Sequence, residues 1–233
     1  MGTRVSYEVD GEVAVIGMDD GKVNALSNEM LEDVNDALDK ASASGGPVVI
    51  HGRDGIFSAG FDLKTLQGGG PAAVEMLHSG FELSYRLLTF PTPVVIAVTG
   101  HAMAMGLFFT LSGDYRIGTD GDYKIVANEV AIGLTMPRAA VEICRYRLHP
   151  SHLQRVVNLS EQYTPPAAVD AGLLDRVVPA GAAVAEAKAT AATFAATLNP
   201  AAHAASKLRL REHTLAALRQ AIDADDAELR SAL

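Results

Sequence analysis

Leu87-Leu88-Thr89-Phe90-Pro91-Thr92-Pro93-Val94-Val95-Ile96-Ala97-Val98-Thr99-Gly100-His101-Ala102-Met103-Ala104-Met105-Gly106-Leu107-Phe108-Phe109-Thr110-Leu111-Ser112-Gly113 is the stretch that decides the fold. These 27 residues between Arg86 and Asp114 contain no Asp, Glu, Lys or Arg. An uncharged run of that length has the reach of a membrane helix. Pro91, Pro93, Gly100 and Gly106 interrupt it, however. They leave a strand-like run, Pro93 to Val98, and a helix-like run, Ala104 to Leu111, so the reading is buried strand, turn and buried helix.

Toward the N-terminus, Val5 to Met18 alternates around Asp10-Gly11 and predicts a β-hairpin. Leu31, Val34, Leu38 and Ala41 recur at helical spacing, with Ser27 as N-cap and Gly45-Gly46 as the stop. Pro47 to Ile50 reads as a short buried strand. A loop from Gly52 to Gly60 leads to a helix start at Asp62, and Gly68-Gly69-Gly70-Pro71 breaks the chain before a longer helix that ends ahead of Pro91. Toward the C-terminus, Asp114 to Ile117 and Tyr123 to Ala127 read as strands. Beyond Pro137 the pattern is helical and Ala-rich, with Pro165-Pro166, Pro179 and Pro200 at candidate helix starts. Strands alternating with helices predict an α/β core with a largely parallel sheet, followed by a helical C-terminal part.

The chain has 233 residues, 48% hydrophobic and 20% charged, which describes a compact folded protein. Its 28 acidic against 19 basic residues, a net charge of −9, argue against a nucleic-acid partner. Cys144 is the one cysteine, so neither an internal disulfide nor a Cys/His metal motif can be assembled, and no metal ligands are expected. The N-terminal MGTRVSYEVDGEVAV lacks the apolar core of a signal peptide. No membrane partner and a cytoplasmic location are expected.

Two glycine-containing turns lead from strand to helix: Phe57-Ser58-Ala59-Gly60-Phe61-Asp62-Leu63-Lys64 and Gly100-His101-Ala102-Met103-Ala104-Met105-Gly106. Such turns leave backbone N–H groups free at the positive end of a helix dipole. Two together form a cradle for an oxyanion, worth about 10²–10³ in rate per donor. Neither matches a phosphate-binding or dinucleotide-binding glycine motif.

These residues resemble the crotonase superfamily, the enoyl-CoA hydratase/isomerase family. The carriers are Phe57 to Lys64, Pro93 to Gly100 and, after the first hairpin, Lys22-Val23-Asn24-Ala25-Leu26, in the family's order and spacing. The resemblance implies an α/β fold with a spiral core of ββα units over residues 1–195 and a C-terminal helical segment over 196–233. It implies CoA-thioester substrates with no separate cofactor, and a homotrimer or dimer of trimers. Carried over, the oxyanion donors are the N–H groups of Phe61 and Met105. Lys22, Val23, Ala25, Ala59, Gly60, Asp62, Leu63, Gly106, Phe108 and Asn128 fall around the bound thioester. Met105 replaces a usual glycine, and its bulk is expected to narrow the pocket; Met103 is read as core packing.

The carboxylates separate the possible reactions. Hydratases of this family hold a water between two glutamates. The first position is Phe108 here; the second is Glu129, within Asn128-Glu129-Val130-Ala131-Ile132-Gly133. Val126, Ala127, Val130 and Ile132 surround Glu129 with apolar neighbours, which predicts a raised pKa and a general base near neutral pH. The family's mitochondrial isomerases show a similar pattern: an aliphatic residue at the first position, Asp-Tyr-Arg-Ile as at 114–117, and Asn-Glu ahead of Gly-x-x-x-Pro, as at 133–137. Isomerisation of a 3-enoyl-CoA is therefore the expected reaction. A hydratase with Glu82 or Glu142 as relocated acid, and a non-catalytic acyl-CoA binder, are the alternatives. Candidate cations for CoA are Lys22, Arg53 and Lys64 beside the motifs and Lys207, Arg209 and Arg211 near the C-terminus. His101, His149 and His152 are read as locally packed or surface residues.

Overall fold

A computed structural model of the chain describes residues 4–231. The hairpin forms as β1 (Val5–Asp10) and β2 (Val13–Met18). Helix α1 (Asn28–Ser44) follows, with Ser27 Oγ accepting the Met30 N–H and Gly45 closing the helix in the left-handed conformation. Three passes of strand, strand and helix come next. They are β3 (Val48–His51), β4 (Gly55–Ser58), α2 (Leu63–Gly68) and α3 (Gly70–Thr89); then β5 (Val94–Val98), β6 (Gly100–Met103) and α4 (Met105–Ser112); then β7 (Tyr115–Thr119), β8 (Ile125–Val126), a single 3₁₀ turn (Val130–Ile132) and α5 (Arg138–Arg147). The remainder is α6 (Pro150–Leu159), α7 (Pro165–Asp170), β9 (Arg176–Val178), α8 (Ala183–Thr197) and α9 (Pro200–Ser231).

In each pass the first strand joins a large sheet, ordered β1-β2-β3-β5-β7-β9, and the second joins a small sheet, β4-β6-β8. Among the described strands only the β1–β2 pair is antiparallel. This is the spiral of ββα units that the resemblance implies. The strands of the large sheet are apolar on both faces because both are covered. Val13, Val15, Val49, Val95, Ala97 and Ile117 meet Ala183, Ala187 and Ala191 of α8. The alternate positions Ala14, Ile16, Val48, Ile50, Val94 and Ile96 enter the main core with α1, α3 and α4.

Several elements differ from expectation. The presumed loop from Gly52 to Gly60 contains β4, and the turn after Val98 contains β6. Pro179 precedes a turn, and its helix begins only at Ala183. The boundary drawn between residues 195 and 196 falls inside α8. Among the described residues no helix is long and apolar enough to cross a membrane.

Helix α9 lies along α3 and α5 of its own chain. Lys207 and Arg211 clamp it there and do not reach out as free cations for CoA. Lys207 Nζ donates to Asp114 Oδ2 at 2.7 Å, and Arg211 donates to Asp114 Oδ1 at 2.7 Å and to the Leu88 carbonyl at 2.7 Å. Both side chains are buried, so the pairing is structural.

Candidate active site

The first motif is fixed by its own polar groups. Asp20 Oδ1 accepts the N–H groups of Lys22 and Asn24, and Asp20 Oδ2 that of Ala25. Asn24, with φ +50°, donates from Nδ2 to the carbonyls of Met18 and Phe57, tying the loop to β2 and β4. The second motif docks on it. The Ala59 N–H donates to the Val23 carbonyl at 3.0 Å, and Ser58 Oγ donates to the Asn24 carbonyl at 2.7 Å while accepting the Gly60 N–H. The Leu26 N–H donates to the Gly60 carbonyl and the Asp62 N–H to the Leu26 carbonyl, which turns the intervening Phe61 N–H to the other side.

Gly60, at φ +96°, packs closely against the start of α4. A Cβ there would stand 2.8 Å from Ala104 Cβ and 3.2 Å from Met105 N. Ala104 itself is held at φ 49°, ψ −127° as the residue before α4, a conformation that costs a non-glycine residue about 1–3 kcal/mol. The strain directs the first N–H of α4, that of Met105, beside the Phe61 segment. Among the described residues neither the Phe61 nor the Met105 N–H has an acceptor within the chain. The Phe61 ring lies against Gly80 of α3, where a Cβ would come within 2.4 Å of it.

Beside this pair opens a cavity of about 550 Å³. Ala59, Phe61, Leu63, Phe108, Asn128 and Glu129, all expected site residues, line it. Met105 and Gly106 are buried and are not among the residues that line the cavity. The Met105 side chain therefore does not narrow the pocket, while Met103, expected in the core, lines it. Lys22, Val23, Ala25, Gly60 and Asp62 do not line the cavity. Asp62 caps α2, accepting the Thr65 N–H and hydroxyl at 2.8 Å each, and these bonds hold its pKa below the usual range.

Glu129 is 7% exposed, and among the described residues its Oε2 has no hydrogen-bond partner. Burial raises its pKa to about 7, only partly opposed by a backbone hydrogen bond. Asn128 Oδ1 beside it is likewise buried and unpartnered. Phe108 stacks on Phe81 at 6.3 Å between ring centroids, and Phe81 meets the edge of Phe61 at 6.2 Å. Three aromatic rings thus occupy the part of the wall where a second carboxylate would be needed to hold a water.

Glu82 and Glu142 are outside the cavity lining. Glu82 takes both guanidinium nitrogens of Arg219, and Glu142 pairs with Arg145 on the same helix. His101 accepts the Lys124 N–H and packs edge-on to Tyr123, a local role. The sequence did not reveal that Leu77, His78 and Phe81 of α3, Arg138 of α5, and Ile222, Asp225, Asp226 and Leu229 of α9 complete the wall. The last four share a helix face at i, i+3, i+4 and i+7, a spacing that marks a face without naming what it covers.

The family model for enoyl-CoA hydratase/isomerase matches residues 8–232. A probable enoyl-CoA hydratase of Bacillus subtilis is 30% identical over 197 residues, 82% of this chain and 76% of that protein. The structure of a probable enoyl-CoA hydratase from Mycobacterium tuberculosis superposes with a TM-score of 0.95 at 46% identity, covering 98% of this chain and 97% of the other. Human mitochondrial Δ3-Δ2-enoyl-CoA isomerase superposes with a TM-score of 0.90 at 30% identity, covering 98% and 91%. The chain belongs to the enoyl-CoA hydratase/isomerase family, the crotonase superfamily.

Proposed function

We propose that the protein converts 3-enoyl-CoA thioesters to 2-enoyl-CoA thioesters. The observation that carries this is one buried, unpartnered carboxylate, Glu129, sharing a cavity with Phe108 at the position where hydratases hold their other glutamate. The thioester carbonyl accepts the Phe61 and Met105 N–H groups. Glu129 removes a proton from C2, and the charge passes to the carbonyl oxygen, where the two donors stabilise the dienolate. Glu129 then returns the proton to C4, and the double bond moves from C3–C4 to C2–C3. No water enters the balance, which suits a wall of three phenylalanines. Hydration would need a second carboxylate; Glu82 and Glu142 are committed to arginines, and on the wall itself Asp225 and Glu228 pair with Arg138 and Asp226 with Arg230.

CoA is part of the substrate in this reading, and no separate cofactor takes part. Assembly as a homotrimer or dimer of trimers is the accompanying proposal, supported by the exposed leucines Leu198, Leu208 and Leu210; light scattering that gives a monomer mass overturns it. The function is tested by assaying the purified protein with paired 3-enoyl- and 2-enoyl-CoA substrates of equal chain length, beside Glu129→Gln. The expected result is isomerisation without net hydration, lowered about 10³-fold or more in the variant. Water addition to the 2-enoyl substrate, or full turnover by the variant, overturns it.

A further inference from the structure

Glu129 is carried on a segment with few holds on the rest of the chain. The residues that follow it, Val130 to Thr135, are all exposed. The Ile132 N–H is shared between the Asn128 and Glu129 carbonyls at 3.2 Å each, and the Leu134 N–H donates to the Glu129 carbonyl at 2.9 Å. These bonds make 128–134 one unit, so a hold on any part of it is a hold on Glu129. Among the described residues, 130–135 make one hydrogen bond outside that unit: the Ala131 N–H donates to Ser160 Oγ at 3.2 Å. Further on, Asp225 accepts the Arg138 and Ala139 N–H groups at the start of α5. Ser160 follows directly on α6, at φ +47° and ψ +38°. That left-handed conformation at a helix end is the usual place of glycine, and a side chain with a Cβ is strained there. The segment after Ser160 also grips the chain ahead of Glu129. The Tyr163 N–H donates to the Ile125 carbonyl and the Ile125 N–H to the Tyr163 carbonyl, both at 3.0 Å. Glu161, between Ser160 and Tyr163, pairs with Arg155 and ties the segment to α6.

We propose that Ser160 is a positioning residue for Glu129: its hydroxyl closes a clasp, from the Ile125–Tyr163 pair on one side to the Ala131–Ser160 bond on the other, that keeps the carboxylate on the cavity wall. The inference rests on the reading that Glu129 is the base. The serine hydroxyl supplies what a glycine would lack there, an acceptor for the Ala131 N–H, and this bond offsets the strain of the left-handed backbone. A general base has to stay within about 3 Å of the atoms whose proton it moves, and a displacement of about 1 Å costs up to about 10²-fold in rate. With the clasp open, the turn is free to swing toward solvent and the carboxylate gains water. Burial is the cause of its raised pKa, so that pKa reports how well the turn is held. The Cys144 thiol of α5 is pushed up to about 12, by burial first and by Glu129 second, so it stays neutral while Glu129 titrates.

Two variants separate strain from positioning. Ser160→Gly removes the hydroxyl and the strain together, and Ser160→Ala removes the hydroxyl alone. Denaturant titration should find Ser160→Gly at least as stable as the wild type, and Ser160→Ala less stable than Ser160→Gly. Carboxylate NMR titration, with the Glu129 signal identified by its loss in Glu129→Gln, should show the Glu129 pKa lowered by about one unit in both variants alike. On a 3-enoyl-CoA, kcat should fall about fivefold in both, KM should stay within about twofold, and the acid limb of the pH profile should move with the pKa. A Glu129 pKa in Ser160→Gly equal to that of the wild type overturns the inference whatever the rate does, and leaves the proposed function standing. A shift that follows stability, large in Ser160→Ala and small in Ser160→Gly, overturns it as well, because the role of Ser160 is then structural. A lowered pKa with unchanged kcat overturns the positioning role. A wild type without isomerase activity overturns the proposed function and the positioning role with it, while the titration, which needs no turnover, still reports whether the clasp holds the carboxylate.

Discussion

Burial sets Glu129 between two opposing demands, because the same desolvation that makes it a base at neutral pH is a cost to the fold. Its pKa is about 7 in the folded chain against 4.5 for the ordinary side chain. Between those values the folded state holds a proton that the unfolded state has released, so stability falls as pH rises from about 4.5 to about 7. Glu129→Gln should therefore stabilise the protein at pH 8 by up to about 3 kcal/mol and change little near pH 4, measured by denaturant titration at both values. Activity has the opposite sign, since only the carboxylate accepts a proton. kcat/KM on a 3-enoyl-CoA should climb about tenfold per pH unit below 7 and level off above it. A flat profile across that range would separate Glu129 from the rate. Gly60 makes a second residue-scale case. Gly60→Ala places a methyl against Ala104 at a backbone angle of +96°, and should cost more than about 2 kcal/mol and most of the activity. Both residues were legible in the sequence, because the Ser-Ala-Gly-Phe-Asp and Asn-Glu motifs are local strings whose spacing survives in one dimension. The strain at Ala104 was not legible, since it arises from the meeting of two segments more than forty residues apart.

Short strands and long-range helix docking mark where sequence reading stopped at the scale of elements. The hairpin, α1, β3, β5 and the first residues of α4 stand where alternation, capping and proline punctuation place them. Strands β4 and β6 are four residues each and include glycine, so their pattern cannot be told from a turn; their hydrogen-bond partners are each other and β8. Helix α9 shows why a helix found correctly can still be assigned the wrong task. Lys207 and Arg211 look like a solvated basic face, and only the fold brings Asp114 between them. The two cations and the Val94 N–H outweigh the burial of Asp114 and hold its pKa below the ordinary range. The pair's contribution is present through neutral pH and is lost as pH falls below the carboxylate range. Asp114→Ala leaves two buried cations without their counter-charge and should lower stability by about 3–5 kcal/mol. The loss should appear first as detachment of α9, read by hydrogen exchange along 200–231, with the acyl cavity opened on the side of Ile222 and Leu229. Uniform loss of protection across the whole chain would show instead that α9 and the core unfold as one unit.

A chain with net charge −9 has to gather positive potential locally before it can attract a CoA phosphate, and the clamp on α9 narrows where that happens. Of the cations suggested by the sequence, Lys207 and Arg211 are withdrawn into the core, and Arg53 is spent on the Lys22 carbonyl and on Asp19 at 3.6 Å. Lys22, Lys64 and Arg209 remain exposed with no ion-pair partner among the described residues, and of these Lys22 and Lys64 are the two beside the site motifs. They flank the docked motifs: Lys22 precedes Val23, which holds the Ala59 N–H, and Lys64 follows Leu63 on the cavity wall. Two cations there act on the whole field of the molecule as much as on a single contact, because they add positive potential where, in the proposed reading, the nucleotide end of a thioester would approach. Replacing both, Lys22→Glu with Lys64→Glu, should raise KM for an enoyl-CoA about tenfold in low salt while leaving kcat within about twofold. Raising ionic strength to about 0.5 M should shrink the difference between wild type and variant, because the Debye length then falls below the separation of exposed charges. An equal loss at every salt concentration would mean that the lysines make short, desolvated contacts instead. No change in KM would place the attracting charge on another surface, which the oligomeric assembly would then have to supply.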